Sequence, residues 1–217
     1  PFRRLIEGYI DFYKSYFEND KSLYRKLVAQ GQNPETLIIA CSDSRIDPAI
    51  VTASGPGDLF VVRNVAAIVP PYETDGRYHG TSAAIEFAVK ALKVRHVVVM
   101  GHGLCGGVQA LADRERTNEK FDFIGPWIDI GKNTLKMVSG AMAGDDTQTR
   151  QKVLEQALVL TSLENLLTFP WVREKAESGK LKLHGWYFDF QSGMLQEYDP
   201  ETKRFRDVIK QSPGIEK

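Results

Sequence analysis

The 217-residue chain reads as an α/β fold with a mostly parallel central β-sheet flanked by helices. Three observations carry that reading. The runs Thr36-Leu37-Ile38-Ile39-Ala40, Leu59-Phe60-Val61-Val62 and His96-Val97-Val98-Val99-Met100 are short and continuously apolar, as strands buried on both faces are. Between the second and third, Ile85, Ala88, Val89 and Leu92 follow the i, i+3, i+4, i+7 helical pattern, completing a βαβ unit. Towards the C-terminus, Leu181 to Phe190 and Met194 to Tyr198 flank Gln191-Ser192-Gly193, which predicts a hairpin and an antiparallel edge strand.

The remaining elements follow in order. Phe2, Leu5, Ile6, Tyr9, Ile10, Tyr13 and Phe17 form an aromatic-rich stripe on a first helix. Such a stripe packs either on the chain's own core or on a second subunit. A second helix spans Ser22 to Gln30, stopped by Gly31 and Pro34. From Phe121 to about Leu167 the pattern is helical, interrupted between Gly140 and Thr149, with Val153, Ala157, Leu160, Leu163 and Leu167 on one face. The charged tail after Pro200 reads as helix or coil.

Composition narrows the function. The 28 basic and 28 acidic residues cancel, so no net basic field argues for nucleic acid. The apolar runs fall far short of the roughly 18 residues of a membrane span. Two cysteines make no disulfide framework, and their use as metal ligands suits a reducing compartment, so a cytoplasmic location is expected. An organelle-targeting segment ahead of the chain stays open.

The chemistry concentrates in two segments, Cys41-Ser42-Asp43-Ser44-Arg45 and His102-Gly103-Leu104-Cys105. Together they offer two thiolates and one imidazole. Three protein ligands leave one position of a zinc tetrahedron for water or substrate, the pattern of catalytic sites. Cys41 closes the first strand, while His102 and Cys105 follow the third. Loops beyond the carboxyl ends of neighbouring parallel strands would bring them together. Gly106-Gly107 opens a helix running to Asp113, whose N-terminal N–H groups favour thiolates and small anions. Inert buried cysteines and a surface ion pair are the plainer readings of the same residues.

Asp43 and Arg45 invite an electrostatic argument. Zn²⁺ with two thiolates is formally neutral, and bound hydroxide makes the site anionic. A nearby carboxylate would then tend to protonate. Arg45 held against Asp43 keeps it ionised and oriented, able to accept a hydrogen bond from zinc-bound hydroxide. Two thiolates leave the metal less electrophilic than three imidazoles do, so activity should rise towards alkaline pH. Asp43 as a fourth ligand would close the site.

These residues resemble the β-class carbonic anhydrases, most closely the plant-type subgroup. The resemblance rests on Ala-Cys-Ser-Asp-Ser-Arg at 40–45, Val-Val-Arg-Asn-Val-Ala at 61–66, Gly-Thr-Ser-Ala-Ala-Ile-Glu-Phe-Ala at 80–88 and Gly-His-Gly-Leu-Cys-Gly-Gly at 101–107. It implies one zinc ion held by Cys41, His102 and Cys105, a catalytic pair Asp43 and Arg45, and reversible hydration of CO₂ to bicarbonate. It also implies substrate contact from Gln32, an apolar pocket of Phe60, Val65 and Phe87, and an anion facing the Gly106 N–H. The implied architecture is a single domain over 1–217: an N-terminal helical arm (1–35) that packs on a partner subunit, a zinc-site core (36–110), and helices and edge strands (111–217). A homodimer, or a larger assembly such as a tetramer, follows from the family.

Three residues depart from the pattern. Phe87 replaces a common Tyr, and Gly103 a common Ser or Thr. Ile38 stands where a bicarbonate-inhibited subgroup has Trp, so that regulation is not expected here despite Arg63. Hydrolysis of carbonyl sulfide or carbon disulfide on the same fold, and non-catalytic zinc or anion binding, are the alternative functions. His79 is a candidate proton shuttle or an ordinary loop histidine; His96 and His184 are expected at strand ends.

Overall fold

The computed structural model describes residues 2–19, 21–114 and 121–211. Six strands form one sheet: β1 (Thr36–Cys41), β2 (Leu59–Asn64), β3 (His96–His102), β4 (Lys182–Asp189), β5 (Met194–Asp199) and β6 (Arg204–Asp207), ordered β2-β1-β3-β4-β5-β6. Strands β2, β1, β3 and β4 run parallel, and β5 and β6 are antiparallel additions at one edge. The apolar runs are central for the expected reason: Leu37 through Ala40 and Val97 through Met100 are buried on both faces. In the β4–β5 connection, Gly193 takes φ +70°, a left-handed conformation that glycine adopts without Cβ strain.

Two expectations are corrected here. The tail after Pro200 is neither helix nor coil at first: Arg204–Asp207 forms β6, pairing Tyr198 with Phe205, before a short helix at Val208–Gln211. Alternating charge along Arg204-Phe205-Arg206-Asp207 hid a half-buried edge strand behind a polar composition. On the long helix α8 (Thr147–Leu166), the buried face is not Val153, Ala157, Leu160, Leu163 and Leu167. It is Leu154, Glu155, Leu158, Val159, Ser162 and Leu166. The helix is flanked by β3 and β4 on one side and by α5 (Gly106–Ala112) and α7 (Lys132–Ala141) on the other. Buried polar groups with partners mark its true inner face: Ser162 Oγ accepts from the Val69 N–H at 3.1 Å.

The first helix, α1 (Phe2–Tyr13), runs into a wider turn over Lys14–Glu18, and α2 follows at Ser22–Gln30. No residue of α1 is buried, with Phe2 74% and Leu5 70% exposed. The stripe therefore does not pack on the chain's own core. Phe12, Tyr16, Phe17 and Tyr24 instead form a local aromatic cluster, with Phe17 and Tyr24 ring centroids 4.7 Å apart.

Candidate metal centre

Cys41 ends β1, His102 ends β3, and Cys105 precedes α5, so neighbouring parallel strands deliver all three side chains to the carboxyl end of the sheet. All three are buried, and their ligand atoms lie within 4.8 Å of one another. His102 Nδ1 faces the Gly103 carbonyl at 2.9 Å, which assigns the proton to Nδ1 and leaves Nε2 a bare lone pair. Nε2 is buried with no hydrogen-bond partner, turned towards the sulfurs. Cys41 Sγ and Cys105 Sγ are 3.9 Å apart. Two Zn–S bonds of about 2.3 Å at a tetrahedral angle would set sulfurs ~3.8 Å apart. The orphaned nitrogen, the sulfur spacing and the N/S donor set together fit a zinc ion.

The electrostatics agree. Without a cation, the Cys105 hydrogen bond draws the Cys41 thiol below its ordinary range, and the same contact pushes Cys105 up. Two thiols this close share one proton unless a cation takes its place.

Asp43 stands beside the donors, with Oδ2 4.0 Å from His102 Nε2. Arg45 grips it in a fork: Nε to Oδ1 at 2.9 Å and Nη2 to Oδ2 at 2.7 Å, with the Arg45 N–H donating to Oδ1 at 2.9 Å. The Arg45 hydrogen bonds hold the Asp43 carboxyl well below the usual range, outweighing the opposing effect of burial. Arg45 is itself anchored by the Leu104 carbonyl at 3.0 Å and the Phe190 ring at 4.8 Å.

Two supporting residues complete the frame. Arg63 on β2 donates to the carbonyls of Cys41 (2.9 Å), Asp43 (2.6 Å) and Ile46 (2.7 Å) and to Asp47 Oδ2 (3.1 Å). Its donors are committed to the loop that carries Cys41 and Asp43. Glu155, missed by the sequence reading, accepts the Cys105 N–H at 3.0 Å from inside α8. With Gln151, Lys152 and Gln156 around it, Glu155 carried no distinct signal in the sequence.

The resemblance-implied pocket divides into two places. Val65 packs with Cys41, Cys105 and Ala66, and Gly106 opens α5 with free space beside its Cα. Phe60 and Phe87 pair with each other at 5.8 Å, but Phe60 lies opposite Leu37, four residues before Cys41. At about 3.3 Å per residue that is roughly 13 Å from the ligand end. Gln32 is exposed in the loop entering β1, with no hydrogen bond among the described residues. Phe87 is 47% exposed.

The departures find physical settings. A Cβ on Gly103 would sit 3.1 Å from the Tyr187 hydroxyl. Ile38 is buried in an apolar sheet face with Ala40, Val98 and Met100. His79 is paired with Asp75 at 2.6 Å. His96 and His184 face each other at 3.0 Å at the starts of their strands, at the opposite end of the sheet from the donors.

The fold and donor set define an α/β protein with a buried Cys–His–Cys group that could hold a metal ion at the carboxyl end of a parallel sheet. The carbonic anhydrase family model matches residues 36–195. A carbonic anhydrase from Synechococcus elongatus is 39% identical over 88% of this chain and 69% of its own. The solved β-carbonic anhydrase CcaA superposes with TM-score 0.88 at 34% identity, covering 95% of this chain and 91% of that one. One of two tetrameric β-carbonic anhydrases from Sordaria macrospora gives TM-score 0.75 at 30% identity, over 90% and 95% of the two chains. The chain belongs to the β-carbonic anhydrase family and is an enzyme of that class.

Proposed function

We propose that the enzyme hydrates CO₂ reversibly to bicarbonate and a proton, with one zinc ion per chain held by Cys41, His102 and Cys105. The observation that carries this reading is the buried Cys–His–Cys set with a forked Asp43–Arg45 pair beside it. When bound, zinc supplies the Lewis acidity that makes water a nucleophile near neutral pH. Asp43, kept ionised by Arg45, accepts a hydrogen bond from the attacking group and aims it. Val65 offers an apolar wall for CO₂, and the Gly106 N–H meets the bicarbonate oxygen.

Gln32, Phe60 and Phe87 then act in a second copy. About 13 Å of strand separates Phe60 from its own chain's donors, so these residues serve substrate only across an interface. The uncovered α1 stripe and the tetrameric relatives support a homodimer or larger assembly in which the arm packs on its partner.

Stopped-flow CO₂ hydration on protein of measured zinc content tests the reading. Cys41→Ser and His102→Ala should lose zinc and rate together. Full zinc with full rate in either variant would end it. Zinc-loaded protein that releases sulfide from carbonyl sulfide faster than it hydrates CO₂ would redirect the substrate assignment.

A further inference from the structure

Glu155 is the one buried carboxylate among the described residues, 3% exposed, and no step above uses it. Its Oε1 accepts from the Cys105 N–H at 3.0 Å and from Gln151 Nε2 at 2.9 Å, while its Oε2 accepts from the Tyr187 hydroxyl at 2.8 Å. Gln151, one turn away on α8, also reaches the Cys105 carbonyl at 3.4 Å. The pair therefore grips both backbone polar groups of a single ligand residue. Burial and the Glu155 charge push the Tyr187 phenol well up, so it stays a donor.

No cation pairs with Glu155 among the described residues. The nearby Lys152 is committed to Asp189 at 3.0 Å. A buried carboxylate without a counter-charge is costly, and removing a partner from such a group is more so. Without metal, the two sulfurs share one proton and carry a net negative charge behind the Cys105 backbone, whereas Zn²⁺ with both thiolates is formally neutral, so metal loading removes a repulsion on Glu155. Carboxylates behind metal ligands orient those ligands and raise metal affinity.

We propose that Glu155 is a positioning residue for the metal centre: through the Cys105 backbone it sets the direction of Sγ, and its charge favours the formally neutral, metal-loaded donors over the anionic metal-free ones. The proposal rests on the zinc reading of Cys41, His102 and Cys105.

Zinc affinity, measured by competition with a chromophoric chelator, separates the two claims. Wild-type protein that binds no zinc overturns the zinc reading itself. Given wild-type binding, Glu155→Gln keeps an acceptor for the Cys105 N–H but removes the charge, and Glu155→Asp keeps the charge but withdraws the reach. Each should weaken zinc about 10- to 100-fold, the usual loss for outer-shell partners of a metal site. Cobalt-substituted Glu155→Asp should also show a shifted sulfur-to-cobalt charge-transfer band, a change that packing alone does not produce. Affinities within about twofold of wild type and an unmoved band, in folded variants, overturn the proposal. Should neither Glu155 variant fold, Tyr187→Phe removes only the Oε2 donor. A loss of about threefold supports the proposal there, and unchanged affinity overturns it.

Discussion

Arg63 offers the sharpest test of how the loop that carries the catalytic pair is held. Its guanidinium fills the inside of the 41–47 loop with four hydrogen bonds, three of them to main-chain carbonyls. Lysine would preserve the charge but concentrate three donors at one point, so it cannot span the fork and leaves at least two acceptors unmet. Hydrogen bonds to charged groups are worth about 1.5–3 kcal/mol each, so two amount to roughly 3–6 kcal/mol at full burial. The Arg63 side chain is 30% exposed, and water would meet part of the loss. The expected destabilisation of Arg63→Lys is therefore about 2–3 kcal/mol. The catalytic cost comes by another route. Asp43 hangs from a carbonyl that Arg63 holds, and a displacement of about 1 Å costs on the order of 10²-fold in rate. Urea unfolding gives the first number, and stopped-flow hydration at matched zinc content gives the second. A variant with full zinc, an unmoved unfolding midpoint and an unchanged kcat would refute the idea that Arg63 holds the loop.

Three further outcomes follow from the same geometry. Gly107→Ala places a Cβ 2.6 Å from Val65 Cγ1 and 3.1 Å from Ala66 Cβ; overpacking of this kind should lower stability by about 1–3 kcal/mol. Gly106→Ala meets nothing within 4 Å and should leave the thermal midpoint essentially unchanged, so calorimetry on the two variants separates the neighbouring glycines. Burial raises the Asp189 carboxyl, but hydrogen bonds from Lys152 and the Gln191 N–H outweigh it and leave the group depressed. A depressed carboxyl stabilises the fold above its unfolded pKa of about 3.9 and loses that contribution as pH falls through the folded value. The stability gap between wild type and Asp189→Asn should thus be full at pH 6 and shrink below about pH 4; a gap constant down to pH 3 in urea titrations would contradict it. Arg45→Ala removes the guanidinium fork and leaves Asp43 only the residue-45 N–H on Oδ1, and zinc retention with loss of hydration rate is expected; loss of zinc with the rate preserved would show that Arg45 serves the metal rather than the carboxylate.

Much of the centre was legible because its signals are local. Cys41 and His102 end strands whose apolar runs are unmistakable, Cys105 follows three residues after His102, and a parallel pairing of those strands leaves little freedom about where the ends meet. The two-residue spacing of Asp43 and Arg45 likewise permits the observed fork without help from elsewhere. What the sequence concealed depends on tertiary packing. Helix α8 carries apolar residues around most of its circumference, so periodicity could not choose between faces one residue apart. Glu155 went unremarked because its partners come from a strand 32 residues onward and a loop 50 residues back. Strand β6 was hidden because an exposed edge tolerates charge at alternate positions, which composition alone cannot tell from a solvated tail.

Each part of the centre has its own backbone anchor from a different element. Arg63 on β2 holds the Cys41 loop, the Gly103 carbonyl fixes the His102 ring, and Glu155 on α8 holds Cys105. Donors fixed this way do not readjust cheaply, which leaves Asp43 as the mobile piece in any closed state where it becomes a fourth ligand. The obstacle to that movement is specific. Asp43 would have to give up both forked bonds and the Arg45 N–H, while Arg45 stays tied to the Leu104 carbonyl and the Phe190 ring. The Arg45 side chain is 52% exposed, whereas that of Asp43 is 15% exposed. Solvent, an anion or a neighbouring subunit reaches the arginine far more easily than the carboxylate. Were Asp43 to become a fourth ligand, the perturbation releasing it would act first on the more exposed Arg45.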